Sequence, residues 1–558
     1  MPHRRFLLPL LLLAACASDG GGTDPALRDV GHFEVLDPPA RLARASIALR
    51  GVRPDLADLQ RVQADPDALP DLVDGYLRGP AFSENIRHMH GEWLITDISG
   101  DYFPAGFPAL GPLRGVDANA INVAVLSGPA RLGEHIVTED LSYKTMLSAD
   151  FTMADGIVAA VWGLPYTGTG AGDWQPTPWG DGRPAVGLLA ESWWYVRHPS
   201  TDTNRQRARA AHLARALLCH DTMNREVRIP DDVDLTAGGA NAIEENPACA
   251  ACHQTLDPLG SALSDHEGVV VPQALWGYPV RTYDPGVGTV GAEPGFYGRP
   301  VEDVEELAAH IADDPRFARC AVQRFSGQLL AQHADDVPPG FVDTLIPAFV
   351  ASDLQVRPLL RTIALSEAFA ATGPSDAVPW GGGIEGTRKL TPWQLAQVVE
   401  ALTGFRWTTR IDVDLGIGTV GEVDLMDEST FGFRRLAGGP DGQDQWDPMR
   451  TTDPTTVLVA RGLAAGAAKH VVSTDLGAPA DLRRLITRDR AQAGEESAVR
   501  AELADLHLRL FSEVVAPDSA AVDETFALFE LGLQGGDVAG AWELVLFAML
   551  QDPQLLHY

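Results

Sequence analysis

Pro315-Arg316-Phe317-Ala318-Arg319-Cys320-Ala321-Val322-Gln323-Arg324-Phe325-Ser326-Gly327-Gln328-Leu329-Leu330 opens on a proline and then returns its apolar residues at helical spacing. Proline in a first helical turn loses no hydrogen bond, so it marks the start of this helix rather than breaking it. Asn204 to Cys219, Val304 to Ile311, Leu390 to Leu402 and Glu496 to Phe511 read the same way, and sustained strand-type alternation is almost nowhere to be found. The chain is therefore expected to be mainly α and multidomain, with long irregular loops. Tyr166 to Pro184 and Val271 to Pro300 are rich in Gly, Pro and aromatic residues and read as surface loops with short hairpins.

Three segments share a pattern of one helix, a second helix started by proline, and a third that ends near an apolar stop. They run Arg41 to Phe82, Phe317 to Phe369 and Leu506 to Leu556, with Pro54, Pro338-Pro339 and Pro517 in corresponding places. Generic helical punctuation gives similar spacing, so the comparison identifies packing units rather than a function.

Composition sets outer bounds. A chain of 558 residues with 45% hydrophobic content can bury several cores, and ordinary domain size suggests about three domains. The formal charge is −33, from 76 acidic against 43 basic residues. Such a field repels polyanions and argues against nucleic acid as a partner. A solvated surface is the plain reading of this acidity.

The first residues point to export. Arg4 and Arg5 precede an apolar run from Phe6 to Ala15, which has signal-peptide length and is too short to span a bilayer. Leu13-Ala14-Ala15-Cys16 resembles the bacterial lipobox, in which the cysteine is lipidated and becomes the new N-terminus. Ser18 to Pro25 then reads as a flexible polar tether. Ala17, where an Asp would favour inner-membrane retention, leans towards the outer membrane. The expected divisions are a signal peptide at 1–15, a tether at 16–35, an N-terminal helical domain at 36–185, a domain around the motif described next at 186–372, a Gly/Pro-rich linker at 373–387 and a C-terminal helical domain at 388–558.

Cys249-Ala250-Ala251-Cys252-His253 carries the strongest chemical signal, because it fits the c-type haem attachment pattern. Two thiols separated by two residues can each add to a vinyl group of one haem, and the following histidine presents imidazole to the iron. The same spacing serves a local disulfide or a thiolate metal site. Zinc would need further soft ligands, and the chain has no second close cysteine pair. A thioredoxin-like role would need a strand and helix setting, whereas Ala240 to Pro247 reads as a loop. Covalent haem c, held by Cys249 and Cys252 with His253 on iron, is the expected cofactor. The sixth ligand stays open: the next methionine is Met426, His266, His310 and His333 lie downstream, His220 and Met223 lie upstream, and a five-coordinate iron is the remaining option.

If Cys16 takes lipid and Cys249 with Cys252 take haem, Cys219 and Cys320 remain. An oxidising compartment favours pairing them, against the alternative of two buried free thiols. The bridge would close a loop of about 100 residues and contribute about 4.7 kcal/mol in the chain-entropy model.

Cys249 to His253 followed by Leu256-Asp257-Pro258-Leu259-Gly260 resembles the haem motif and trailing acidic-proline-glycine loop of bacterial cytochrome-c-like proteins. These are known largely from planctomycetes and myxobacteria and are assembled from several domains of unknown function. Gly187-Leu188-Leu189, His198-Pro199, Arg205 and Leu217-Leu218-Cys219 are similar to that family upstream of the motif. Phe317-Ala318-Arg319-Cys320 and Ser366-Glu367-Ala368-Phe369 are similar to it downstream. Leu49-Arg50-Gly51 and Arg388-Lys389-Leu390-Thr391 with Leu402-Thr403-Gly404 match other modules of the group more loosely. Ser261 to His266 departs from the aromatic-rich continuation usual there, and the family implies no assigned reaction.

Other patterns fail on inspection. Gly416-Ile417-Gly418-Thr419-Val420-Gly421 fits a dinucleotide fingerprint, but acidic and polar residues follow where a helix is needed. Asp412 and Asp414 begin like a calcium loop, yet Ile417 and Val423 occupy the positions that need Gly and Glu. His88 and His90 beside Trp93 read as a packed helix face. The sequence thus points to an exported, lipid-anchored c-type cytochrome-like protein of the cell envelope, held to a membrane through Cys16 and exchanging single electrons with a periplasmic or outer-membrane redox partner. A haem-free scaffold lipoprotein with a Cys249–Cys252 disulfide and a peroxidase-like haem enzyme are the alternatives.

Overall fold

The computed structural model describes residues 33–96, 111–200, 206–222, 246–266, 278–285, 292–373, 383–410, 422–426, 432–440 and 445–558. Cys16, Met223, Arg205, Asp412, Asp414 and the Gly416 to Gly421 run lie outside these residues. The fold is mainly α, as the apolar spacing predicts.

The chain enters α1 (Pro38–Arg50) through Asp37, whose carboxylate accepts from Ala40 N, and leaves it through Gly51 at φ +70°. Helices α2 (Leu56–Ala64), α3 (Leu69–Tyr76) and α4 (Pro80–Leu94) follow, and α5 (Ala118–Thr138) packs along α4. Strand β1 (Phe151–Ala154), helix α6 (Gly156–Trp162) and strand β2 (Gln175–Pro178) come next, then α7 (Ser192–Arg197), α8 (Arg207–Leu218) and α9 (Pro247–Ser261). A small hairpin, β3 (Gly295–Phe296) and β4 (Arg299–Pro300), leads into α10 (Val304–Asp313), α11 (Pro315–Leu330), α12 (Pro339–Ala351), α13 (Val356–Leu365) and α14 (Glu367–Ala370). The last part comprises α15 (Pro392–Thr403), strands β5 (Thr408–Arg410) and β6 (Glu422–Asp424), and helices α16 (Phe433–Leu436), α17 (Pro454–Asp475), α18 (Asp489–Gln492), α19 (Glu496–Phe511), α20 (Ala520–Gly535), α21 (Val538–Leu550) and α22 (Pro553–Leu556).

The strands form antiparallel pairs, β1 with β2, β3 with β4 and β5 with β6. The segment Tyr166 to Pro184, expected to fold back on itself, instead sends β2 to pair with β1 from ahead of it, with Thr152 opposite Thr177. The three segments compared in sequence each form three successive helices and a short or continuing closing helix: α1 to α4, α11 to α14 and α19 to α22. The first helix of each closes on a left-handed residue, Gly51, Ala331 or Ser512.

Buried apolar side chains form two cores. One runs from Leu42 to Ile384 and is continuous through α1 to α14. The other runs from Leu390 to Leu556 and also takes Ile47 from α1. Around the joint, Arg44 donates to the carbonyls of Phe369 and Ala371 at 3.1 and 3.2 Å and of Gly386 at 2.8 Å. Arg388 donates to those of Leu329 and Phe369 at 3.0 and 2.8 Å. Both guanidiniums are buried. Trp393 stacks on His88 at 4.3 Å and lies against Gly51. Among the described residues no helix is long and apolar enough to cross a membrane.

Candidate functional site

Cys249, Cys252 and His253 all lie on α9. Their spacing of three and four residues puts them on one face of the helix. Both thiols are free and partly buried. The His253 side chain is 24% exposed, so it reaches solvent while its ring stays held.

What holds the ring is one turn further along. Asp257 Oδ1 lies 3.0 Å from His253 Nδ1 and accepts from Arg207 Nε at 2.5 Å, while Oδ2 accepts from Arg207 Nη2 at 3.0 Å. Burial pushes the Asp257 carboxyl up, but hydrogen bonds from Arg207 and His253 and their charge outweigh it and hold the group below the usual carboxylate range. An ionised carboxylate can only accept. Nδ1 therefore carries the hydrogen, and Nε2 is the ring nitrogen outside the clamp.

Leu256 to Gly260 was expected to be a loop and is instead the continuation of α9, with Pro258 inside the helix. Proline there removes one backbone donor without ending the helix. Its ring meets the hairpin: a Cβ on Gly295 would lie 3.2 Å from Pro258 Cβ. Because the helix persists, Asp257 falls four residues from His253 on the same face, which a loop would not have guaranteed.

Helix α9 packs on α8, and α8 ends at Cys219, whose left-handed conformation at φ +47° closes the helix. Cys219 is bonded to Cys320 on α11, with Cα atoms 5.2 Å apart across a separation of 101 residues. The bridge thus ties the helix beneath the motif to the long helix with which the sequence reading began.

The other histidines are spread out. His266 is buried, stacks on Tyr195 at 3.9 Å, and is held well below the ordinary imidazole range, first by burial and then by Arg183 and Arg209. His220 Nδ1 lies 2.6 Å from the Tyr297 hydroxyl on the β3–β4 turn. His310 lies 3.6 Å from Glu306, and His333 lies 3.9 Å from Asp447. Met426 is buried in the second core. His90 is fully buried and His88 pairs with Glu92 at 3.1 Å, a packed face as read from the sequence.

Residues 185–271 match the model of a family named PSCyt3, described as a protein of unknown function (DUF1588). The match covers α7, α8 and α9 with the whole cysteine and histidine motif. No curated protein and no solved structure matches the chain.

Three residues in this segment were given no role by the sequence reading. Arg207 and Asp257 form the clamp on His253, and the spacing of His253 to Asp257, one helical turn, is the signal that would have found it. Glu191, just ahead of α7, is buried, and burial pushes its carboxyl up to about 7 despite a hydrogen bond from Thr152 and the charge of Arg183. No group of three or more His, Cys, Asp or Glu side chains among the described residues is placed to hold a metal ion. On α9 two free thiols and an imidazole share one face, the donor set that a covalent haem c would need.

Proposed function

We propose that the protein is an exported, lipid-anchored c-type haem protein that passes single electrons in the cell envelope. The observation that carries this reading is the shared face of Cys249, Cys252 and His253, with His253 oriented by Asp257. In that role Cys249 and Cys252 would hold the haem and His253 would ligate its iron. The haem supplies a one-electron redox couple. The protein supplies the ligand orientation, and the disulfide from α8 to α11 braces the helix on which the motif rests. The name of the matched family, with its cytochrome-like element, agrees with this reading. Lipid at Cys16 would hold the protein at a membrane, the outer one by the neighbouring Ala17, within reach of a periplasmic or outer-membrane redox partner.

The test is covalent haem on denatured protein exported together with a c-type maturation system. Wild type should keep haem through denaturing electrophoresis, and the double variant Cys249→Ala, Cys252→Ala should lose it. A wild type with no covalent haem would remove the proposal.

A further inference from the structure

The clamp on His253 goes further than holding a ring still. We propose that Asp257, itself gripped by Arg207, is a positioning residue that sets the haem's reduction potential low by giving His253 anionic character. This inference rests on the haem reading above and deepens it.

An imidazole whose Nδ1–H points at a carboxylate is a stronger donor through Nε2 than one bonded to a carbonyl, because the carboxylate draws the proton and leaves electron density on the ring. A stronger donor favours the higher charge on iron and lowers the potential. Arg207 works against this. Its two hydrogen bonds, at 2.5 and 3.0 Å, draw on the same carboxylate, and its Nε shares Oδ1 with His253. The push delivered to His253 is thus a difference between a donor and a restraint. Arg207 sits at the first position of α8 and Asp257 in α9, so the packing of these two helices fixes the setting. The Asp257 side chain is 19% exposed and that of Arg207 14%, so solvent screens the contact only in part.

The prediction has opposite signs. Asp257→Asn removes the charge while keeping an acceptor, and should shift the ratio of reduced to oxidised haem at fixed potential about tenfold towards reduced, which is about 59 mV upward for a one-electron couple. Arg207→Gln frees the carboxylate and should move the potential downward. In the Asp257→Asn background the Arg207→Gln shift should shrink, because the part carried by that carboxylate is gone. The experiment is a spectroelectrochemical titration of the haem-loaded full chain and these variants. Equal potentials in wild type and Asp257→Asn overturn the inference, as do additive shifts in the double variant, which would mark two independent charges. If Asp257→Asn fails to take up haem, Arg207→Gln alone decides, and an unchanged or raised potential overturns it. Failure of the haem reading is distinct, since wild type would then carry no haem at all.

Discussion

Glu191 shows what a single buried group does to this protein. Its carboxyl sits near 7 in the folded chain against an ordinary 4.5, so between those values the folded state binds more protons than the unfolded one. Stability therefore falls as pH rises through that window, and above it the full penalty applies, on the order of 3 kcal/mol. Glu191→Gln should raise stability at pH 8 by about that amount and leave it unchanged at pH 4, read from urea denaturation at each pH. A gain of equal size at both would contradict the assignment to ionisation. Nothing in the sequence around Glu191 announces this, because the penalty comes from the side chains folded over it. Cys249, Cys252 and His253 stand out in the sequence for the opposite reason: the haem attachment proposed for them is recognised by spacing along the chain. Asp257 stood between these cases, visible as a residue but taken for part of a loop.

At the scale of elements, helix limits were legible where apolar residues return at helical spacing. Pro315 to Leu330 and Glu496 to Phe511 recur with the expected ends. Leu256 to Gly260, taken for a loop from the family resemblance, instead continues α9 past Pro258, which lies against Gly295. Strand β2 was misplaced because its partner, β1, lies outside the segment that suggested a hairpin, and pairing is a long-range property. Gly51 shows how an element end becomes a joint. Its left-handed φ and its approach to Trp393 both require glycine: a Cβ would lie 2.4 Å from the Trp393 ring. Gly51→Ala should cost about 2–4 kcal/mol, combining backbone strain with displacement of the ring from His88. Gly477, also left-handed but with open space around it, should cost only about 1–2 kcal/mol on the same change. Thermal unfolding of the two variants side by side checks the difference.

For the whole molecule, the decisive contacts are the guanidiniums between the two cores. Burial lowers Arg388 to about 9, with Arg44 adding to the effect, and lowers Arg44 to about 10. Both remain charged at neutral pH and donate to carbonyls, those of Leu329, Phe369 and Ala371 belonging to buried residues. Arg388→Met should strip Leu329 O of its charged donor, weaken the hold on Phe369 O, and cost about 2–4 kcal/mol. Arg61→Met, at an exposed pair 3.7 Å from Asp71, should cost under about 1 kcal/mol. Denaturant midpoints of both variants test the contrast. The guanidinium contacts between the cores were not legible in advance, since Arg44 and Arg388 are distant in sequence and resemble ordinary surface charges there.

The bridge from Cys219 to Cys320 carries a consequence for the newborn chain. Its second sulfur follows the first by 101 residues. In a chain exported N-terminus first into an oxidising compartment, Cys249 and Cys252 reach Cys219 before Cys320 does. A correct molecule depends on Cys219 remaining unjoined until α11 arrives, and the order of oxidation is as much a part of making this protein as its fold.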